Sequence, residues 1–406
     1  MTDTRPASGT DVPEFPVAGS NSCPFDPDET YTRLRANAPI SLVRCPAGMN
    51  AWLVSRYEDV RGVLADPRLS SRGAGSMHML PSYDMHDPVP AGMMIQCDGE
   101  EHARLRQLLR AEFTARRIEV LRPDIQKIAD EHVDAMLAGS SADLVSDFAL
   151  PIPSLVIFEM LGVPYDDHEA VQRDSQVLIG FDADEATRAA ATRRLEDYLG
   201  DLIERRRTEP RDDLLSRMIA RGNETHRPPT VPELATLAVL VLVAGHETTA
   251  NTIALSTLVL LENPDRMAAL RAAPDTIGAA VEELLRYLPV IQFGLLRYAT
   301  EDVTIGGTDV RTGEWVVAAI TSGNRDEGVF ADPDLVDLGR QARPHLAFGF
   351  GAHRCIGHHL ARIELQIALT TLLRRMPGLR LAMPLAQLEF KLNDIVFGLR
   401  SLPVVW

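Results

Sequence analysis

A glycine-rich segment with one cysteine, Phe348–Gly357 (FGFGAHRCIG), has the residue types best suited to chemistry in this sequence. Its alternating glycines let the backbone turn tightly and aim N–H groups inward. Cys355 lies just before a helical pattern that begins at His358, where amide donors and the positive end of the helix dipole favour thiolate over thiol. A thiolate suits a soft metal, and haem iron fits a single cysteine better than zinc or an iron–sulfur cluster does.

Other interpretations of this segment have less support in the sequence. A cysteine buried as a small core side chain does not require glycines on both sides. Zinc could use Cys355 with His358 or His359, but no second pair of ligands stands nearby. The glycines form neither G-x-G-x-x-G nor a P-loop, and the C-x-x-C-H pattern of covalent haem attachment is absent.

A long apolar segment, Leu234–Leu261, is predicted to be one helix. The T-x-x-E pattern that starts at Thr230 is typical of a capping box, and Pro264 ends the pattern. A helix over Val231–Glu262 would be ~48 Å long at 1.5 Å per residue. Because such a helix crosses a whole domain, we predict that it is buried on nearly all sides.

Four polar residues, HETT at positions 246–249, interrupt this apolar helix. Placing Glu247 at the middle of a bilayer would cost ~2.5–3.5 kcal/mol, which favours a protein interior over a membrane. One interpretation is a hydrated kink or a satisfied internal network. The functional one is that Glu247 and Thr248 face a cavity where protons are needed.

The remaining pattern predicts a mainly α protein with a minor β part built from both ends of the chain. Strand candidates at both ends with helices between them predict one interwoven domain. Helices are predicted over Tyr57–Ala65, Glu101–Ala115, Arg122–Leu137, Ala186–Thr208, Asp275–Leu288 and Gly357–Arg375, and strands over Ala51–Ser55, Asp302–Ile305, Glu314–Ile320 and Leu402–Trp406.

Composition narrows the classes of function. The 406 residues carry a net charge of −16, which argues against partners such as nucleic acid or anionic membranes. The first residues lack the apolar core of a secretory signal. The four cysteines, Cys23, Cys45, Cys97 and Cys355, are scattered, so we predict no disulfide framework and a cytoplasmic location.

The cysteine segment matches the haem-ligand signature of the cytochromes P-450, F-G-x-G-x-H-x-C-x-G, at every fixed position. The chain also resembles that family in order and spacing of the other motifs over Cys23–Trp406, which leaves residues 1–22 as a flexible tail. The similarity is greatest to soluble actinobacterial members that oxidise natural products and xenobiotics. Outside the cysteine segment, three further sets of residues match. Ala244 to Thr249 match the oxygen-activating motif, and Glu283 and Arg286 match E-x-x-R, with Arg340 as the third member of that network. His102, Arg106 and Arg297 match the residues that, together with His353, hold the haem propionates in the family.

The resemblance implies a single-domain cytochrome P-450 fold and a monooxygenase that binds haem b through Cys355. Phe348 and the neighbouring amides, including Gly349 and Gly357, would shield the sulfur. Ala244 and Gly245 would leave room for O2. Thr248 would donate a hydrogen bond there and Glu247 would relay protons. One oxygen atom would enter a C–H bond or an alkene; a non-catalytic haem sensor or store would not need Glu247 and Thr248.

The resemblance also implies an apolar small-molecule substrate and an electron donor. Five methionines in Gly73–Met94 suit an adaptable lid, with a surface loop as the alternative. His102–Arg117 holds five arginines against one glutamate, which favours docking of an acidic ferredoxin, supplied by its reductase. The candidate pocket residues are Met93, Met94, Val290, Ile291, Phe293, Ile395 and Val396.

Two places depart from a simple match. In Asp275–Leu288 the apolar stripe leaves Glu283 and Arg286 on the opposite face, which predicts an exposed pair, whereas the resemblance predicts a buried one. We follow the resemblance, because the irregular segment 329–345 needs something to hold its backbone. The family pattern D-P-P-E-H is replaced by Asp98-Gly-Glu-Glu-His102, which predicts a looser entry turn.

Overall fold

Helices form where the apolar spacing predicts them. The computed structural model describes residues 12–15, 24–72, 79, 88–180, 183–392 and 394–406. Two predicted helices, Tyr57–Ala65 and Arg122–Leu137, have the predicted bounds. The predicted helix Glu101–Ala115 is wrong in its bounds, because a turn after Arg110 divides it into Gly99–Arg110 and Ala115–Val120.

The helices follow in this order: α1 Glu29–Asn37, α2 Tyr57–Ala65, α3 Gly99–Arg110, α4 Ala115–Val120, α5 Arg122–Leu137, α6 Pro151–Leu161, α7 His168–Ile179, α8 Glu185–Thr208, α9 Leu214–Asn223, α10 Val231–Leu261, α11 Pro264–Ala272, α12 Ile277–Tyr287, α13 Ile320–Gly323 and α14 His358–Arg375. The strands are β1 Ile40–Arg44, β2 Asn50–Val54, β3 Leu69–Ser70, β4 Ser141–Asp143, β5 Leu295–Ala299, β6 Val303–Ile305, β7 Thr308–Val310, β8 Trp315–Ala318, β9 Arg380–Leu381 and β10 Pro403–Val405.

The central helix α10 begins at the predicted capping box. Thr230 accepts a hydrogen bond from the Glu233 amide at 3.3 Å, and the Glu233 carboxylate accepts one from the Thr230 amide at 2.8 Å. The helix ends at Leu261, one residue before the predicted end. It is long and apolar enough to span a membrane, but it packs against α6, α7, α8 and α14, with most side chains buried. Burial in the protein core therefore accounts for its composition.

The β part joins the two ends of the chain, as predicted. The main sheet has the order β1-β2-β8-β5-β3, and β2 pairs parallel with β8 from Ala51↔Trp315 to Val54↔Ala318. A second sheet, β4-β10-β9, ties the last strand to the middle of the chain. The main sheet and the helical core meet at the coil that leads into the cysteine segment, so both layers position that segment.

Several predictions fall on residues outside the described ranges. The tail 1–22 and Cys23 are described only over 12–15. In the methionine-rich segment, Met79, Met93 and Met94 are described, while Met77 and Met85 are not. The lid and the flexible tail therefore stay predictions.

Candidate active site

The cysteine segment is a coil that packs against the end of α2 in the sheet layer. Gly349 and Gly351 have φ of +66° and +74°, in the region that favours glycine. A Cβ on Gly351 would lie 2.5 Å from the Leu64 carbonyl oxygen at the end of α2, so only glycine fits there. The Cys355 amide donates to the Phe348 carbonyl at 2.9 Å. This geometry presents Cys355 to the cavity above it.

The Cys355 thiol is subject to opposing effects on its pKa. Burial raises its pKa, and this outweighs the hydrogen bond from the Gly357 amide and the nearby guanidinium groups of Arg106, Arg362 and Arg354, which lower it. A bound metal is what would stabilise the charged sulfur here.

Polar contacts on the far side of Phe348 support the segment. The Arg362 guanidinium lies 4.5 Å from the centre of the Phe348 ring. Buried Glu282 accepts hydrogen bonds from Arg362 at 2.6 and 3.0 Å, and its contact with His345 measures 3.0 Å. Sequence reasoning missed Glu282, because its partners stand about 60–80 residues away, at separations of 63 and 80.

A mostly apolar cavity separates the cysteine segment from α10. Ala244, Gly245 and Thr248 form its upper wall, and Phe348, Gly349, His353, Cys355 and Gly357 form part of its lower wall. The Thr248 hydroxyl donates to the Ala244 carbonyl at 2.9 Å. Hydroxyl back-bonding of this kind bends helices and leaves the oxygen free to accept from a group in the cavity.

Glu247 does not line this cavity, which departs from its predicted placement. Its side chain is buried and its Oε2 accepts from Asn251 Nδ2 at 3.1 Å and from Lys391 Nζ at 3.5 Å. The neighbouring His246 is also buried, with Nε2 3.2 Å from the Ser175 hydroxyl. The carboxylate thus belongs to an internal network, next to a Thr248 that does face the cavity.

The predicted histidine and arginine cluster gathers at one end of the cavity. The rings of His102 and His353 have centroids 4.0 Å apart, and Arg106 donates to the Arg354 carbonyl at 2.7 Å. Burial, the neighbouring His353 and Arg106 lower the pKa of His102 to about 4. The cluster therefore concentrates positive charge without protonating His102.

Asp98 is the carboxylate of this cluster, and sequence reasoning did not assign it. Burial alone would raise its pKa, but hydrogen bonds from His353, Ser70 and Ser71 outweigh burial and lower it. Asp98 does not cap α3 with its side chain, and the following Gly99 has φ of +55°. A proline cannot adopt that φ, so the entry turn differs in conformation from a D-P-P turn.

The E-x-x-R pair is buried, so the exposed placement predicted from periodicity is wrong. Glu283 and Arg286 are both 0% exposed and form two hydrogen bonds of 2.8 Å. Arg286 also donates to the carbonyls of Asn324 and Pro333, and Arg340 donates to Glu283 at 3.1 Å. The pair thus holds the coil before the cysteine segment by its backbone.

Comparisons with known proteins give the family of this chain. The model of the cytochrome P-450 family matches residues 45–377. The chain belongs to the cytochrome P-450 family. It is 44% identical to nocardicin C N-oxygenase of Nocardia uniformis, over 98% of this chain and 99% of that one, and 44% identical to pentalenic acid synthase of Streptomyces avermitilis, over 99% and 100%. The crystal structure of CYP105P1 in complex with filipin I superposes with a TM-score of 0.91 at 42% identity, covering 98% of this chain and 99% of that one.

As a cytochrome P-450, the protein is a monooxygenase that binds haem b, and the described residues fit that cofactor. Buried Arg297 donates to the Leu296 carbonyl, and among the described residues no carboxylate forms an ion pair with it. Burial lowers the pKa of its guanidinium to about 10. A propionate would neutralise this charge, and Cys355, which lines the cavity, would be the residue to bind the iron. The zinc alternative has no group of three ligands within the described ranges.

Only two of the seven substrate-pocket residues predicted for this cytochrome P-450 line the cavity. Val290 and Ile291 line it. Phe293 is buried with the sheet layer, and Met94 is buried in the helical core. The other three predicted residues, Met93, Ile395 and Val396, are also not among the residues that line the cavity.

The arginine-rich stretch of this cytochrome P-450 offers less free charge than its sequence implies. Arg104 pairs with Glu101 and Glu233, and Arg117 pairs with Glu112 and Asp212. Within this stretch, Arg110 and Arg116 are exposed, and neither forms an ion pair with another described residue. Arg354, on the Cys355 segment, and Arg343 are also exposed. Sequence reasoning missed both, because they lie outside the dense stretch.

Proposed function

We propose that this cytochrome P-450 oxidises a medium or large, mostly apolar natural product or xenobiotic in the cytoplasm, with electrons from an acidic ferredoxin. The observation that carries the substrate class is the apolar cavity between Cys355 and Thr248. The relatives are named for different compounds, nocardicin C and pentalenic acid, which supports a class of small organic molecule more than one compound. Unbonded Cys45, Cys97 and Cys355 support a reducing compartment.

In this proposal, separate residues of the chain bind the haem and deliver protons. The haem, when bound, supplies oxygen activation, in which O2, two electrons and two protons yield one oxygen atom for insertion and one water. Cys355 would bind the iron through its sulfur, and His102, Arg106, Arg297 and His353 would hold the propionates. Thr248 holds a water and a proton at its Oγ1 in the cavity, and Glu247 carries protons from solvent toward that water.

The proposed substrate class is tested by a spectral screen. A library of apolar natural products and xenobiotics is added to the oxidised haem protein, and shifts of the iron spin state identify ligands that enter the cavity. Each ligand is then incubated with NAD(P)H, ferredoxin reductase and an acidic ferredoxin, and products carrying one added oxygen atom are sought. Ligands that bind but never yield such a product would contradict the proposal.

Thr248→Ala is expected to separate NAD(P)H consumption from product formation. The variant keeps haem and substrate binding, because neither depends on the hydroxyl. Product formed per NAD(P)H falls by about tenfold or more, since the hydroxyl no longer holds the water that passes on the proton, and positioned proton transfer contributes ~10²–10⁴-fold. The lost reducing equivalents are measured as hydrogen peroxide.

The matched control for this prediction is Thr257→Ala, a buried threonine on the same helix whose hydroxyl donates to the Ile253 carbonyl. It is expected to stay fully coupled. Glu247→Gln is expected to slow oxygen-dependent turnover with less effect on coupling. Full coupling in Thr248→Ala would mean that water or a substrate hydroxyl supplies the proton.

Reversal of Arg110 and Arg116 to Glu is expected to raise the apparent KM for ferredoxin about tenfold at low ionic strength, because steering by exposed charge is strong there. The effect shrinks as salt is added. Substrate binding stays unchanged. The charge-matched control reverses Arg173 and Arg193, which are exposed on α7 and α8. Equal KM values in the two double variants would place the docking surface elsewhere.

A further inference from the structure

The Glu247 carboxylate is held away from the cavity by a cation from the end of the chain. Lys391 Nζ lies 3.5 Å from Glu247 Oε2, and the lysine side chain is 19% exposed. Asn251 fixes the same oxygen from one helical turn along, at 3.1 Å. The lysine therefore stands between a buried acid and solvent.

The lysine belongs to a hairpin that lies directly on α10, and the described residues of this hairpin are 390–392 and 394–399. Phe390 and Leu399 form its base, and the Lys391 amide donates to the Gly398 carbonyl at 2.8 Å. A Cβ on Gly398 would lie 1.7 Å from Asn251 Oδ1. Because the hairpin and the helix touch at this point, Lys391 cannot shift without affecting the network around Glu247.

At Phe397, the same hairpin is hydrogen-bonded to a residue of the cavity wall. The Phe397 amide donates at 2.8 Å to the carbonyl of Val290, a residue that lines the cavity. On its other side, the Ile395 amide donates to the Ile179 carbonyl at 3.2 Å, at the end of α7. A ligand that displaces Val290 therefore acts on the hairpin through a direct hydrogen bond.

Lysine is better suited than arginine to an ion pair that forms and breaks. Lysine occurs at two positions of the chain, Lys127 and Lys391, among 41 basic residues. An arginine would hold a carboxylate with a rigid two-pronged fork, whereas lysine offers a point charge on a flexible stem. At 3.5 Å the lysine contact is a loose one.

We propose that Lys391 is a positioning residue that holds Glu247 out of the cavity at rest, and that a ligand filling the cavity breaks this pair through Val290 and the hairpin. The freed carboxylate then turns toward Thr248, so that protons are delivered when substrate is present. This inference rests on the proposed role of Glu247 as proton relay.

The pair is tested by nuclear magnetic resonance of haem-loaded protein made with isotopically labelled lysine, in its diamagnetic reduced CO form. Two side-chain signals are expected, and Lys127→Arg and Lys391→Arg assign them. Glu247→Gln is expected to move the Lys391 signal and leave the exposed Lys127 signal in place. A Lys391 signal that does not respond to Glu247→Gln would overturn the proposal.

Ligand control of the pair is tested in the oxidised protein with two probes, imidazole and phenylimidazole. Both bind the iron through nitrogen and give the same spin state, but only the phenyl ring fills the cavity. Phenylimidazole is expected to move the Lys391 signal toward its position in Glu247→Gln, relative to imidazole. Identical Lys391 signals with the two probes would overturn the ligand control.

A kinetic cycle tests the consequence. Lys391→Met is expected to raise substrate-free NAD(P)H oxidation by about two- to tenfold, which is the size of coupling between contacting residues. Lys391→Arg, which keeps the positive charge, is expected to show the rate of the parent protein. In a Glu247→Gln background Lys391→Met should have no effect; equal effects in both backgrounds would mean that Lys391 acts by packing alone. The resonance tests need no turnover, so a chain that oxidised no substrate would refute the proposed function and leave the pair standing.

Discussion

Cys355→Ala is expected to abolish the shifted Soret band that a haem–thiolate protein gives in its reduced CO complex. The reason is geometric: Cys355 is the cysteine whose side chain faces the cavity beneath α10. Cys45 is buried in the sheet layer, and Cys97 contacts the Met93 carbonyl. With the sulfur removed, no thiolate would be left to bind the iron, and we expect complete loss of the band in the spectrum.

The controls are the remaining cysteines, including Cys23, which lies outside the described residues. Cys45→Ala, Cys97→Ala and Cys23→Ala should each keep the band at full amplitude. Retention of the band in Cys355→Ala would contradict the whole assignment of the cavity as a haem site. Loss of the band in one of the controls, with the fold intact, would move the ligand to that cysteine.

Glu283→Gln is expected to destabilise the protein by ~3–5 kcal/mol, because removing one partner leaves a charged guanidinium buried without its carboxylate. That is a large part of the ~5–15 kcal/mol that keeps a typical domain folded. The Arg286 side chain is 0% exposed, so water cannot replace the lost contacts. The free energy of unfolding is measured by urea titration, together with the fraction of protein that retains haem.

The matched control is Glu204→Gln, which breaks a glutamate–arginine pair of the same i,i+3 spacing on the surface of α8. The Glu204 and Arg207 side chains are 57% and 53% exposed. Exposed pairs contribute ~0–1 kcal/mol, so this variant should unfold close to the parent. Similar losses from both substitutions would mean that burial of the E-x-x-R pair does not matter for stability.

Local patterns in the sequence were sufficient to predict several helices and to indicate Cys355 as the candidate iron ligand. The capping box at Thr230, the bounds of Arg122–Leu137 and the glycines around Cys355 depend on residues within a few positions of one another. Periodicity alone predicts an exposed Glu283, whereas the family resemblance predicts its burial. Periodicity cannot show this burial, because the coil partners of the pair stand about 40–60 residues away in the chain, as Arg340 does at 57.

The rest of the site depends on contacts that no local pattern encodes. Lys391 reaches Glu247 across 144 residues, and His353 contacts Asp98 across 255. A lysine near the end of the chain carries no sign of its distant partner.

The parallel pairing of β2 with β8 has a consequence for the protein during its synthesis. Trp52 Nε1 donates to Glu314 Oε2 at 3.0 Å, and the two residues are 262 positions apart. At ~5–20 residues per second, roughly 13–52 s pass on the ribosome before the first has its partner. During that interval β2 presents an unpaired strand edge to other chains, a hazard for aggregation. Slow translation over the middle of the chain would prolong this exposure, and so a lower yield of soluble protein is expected from it.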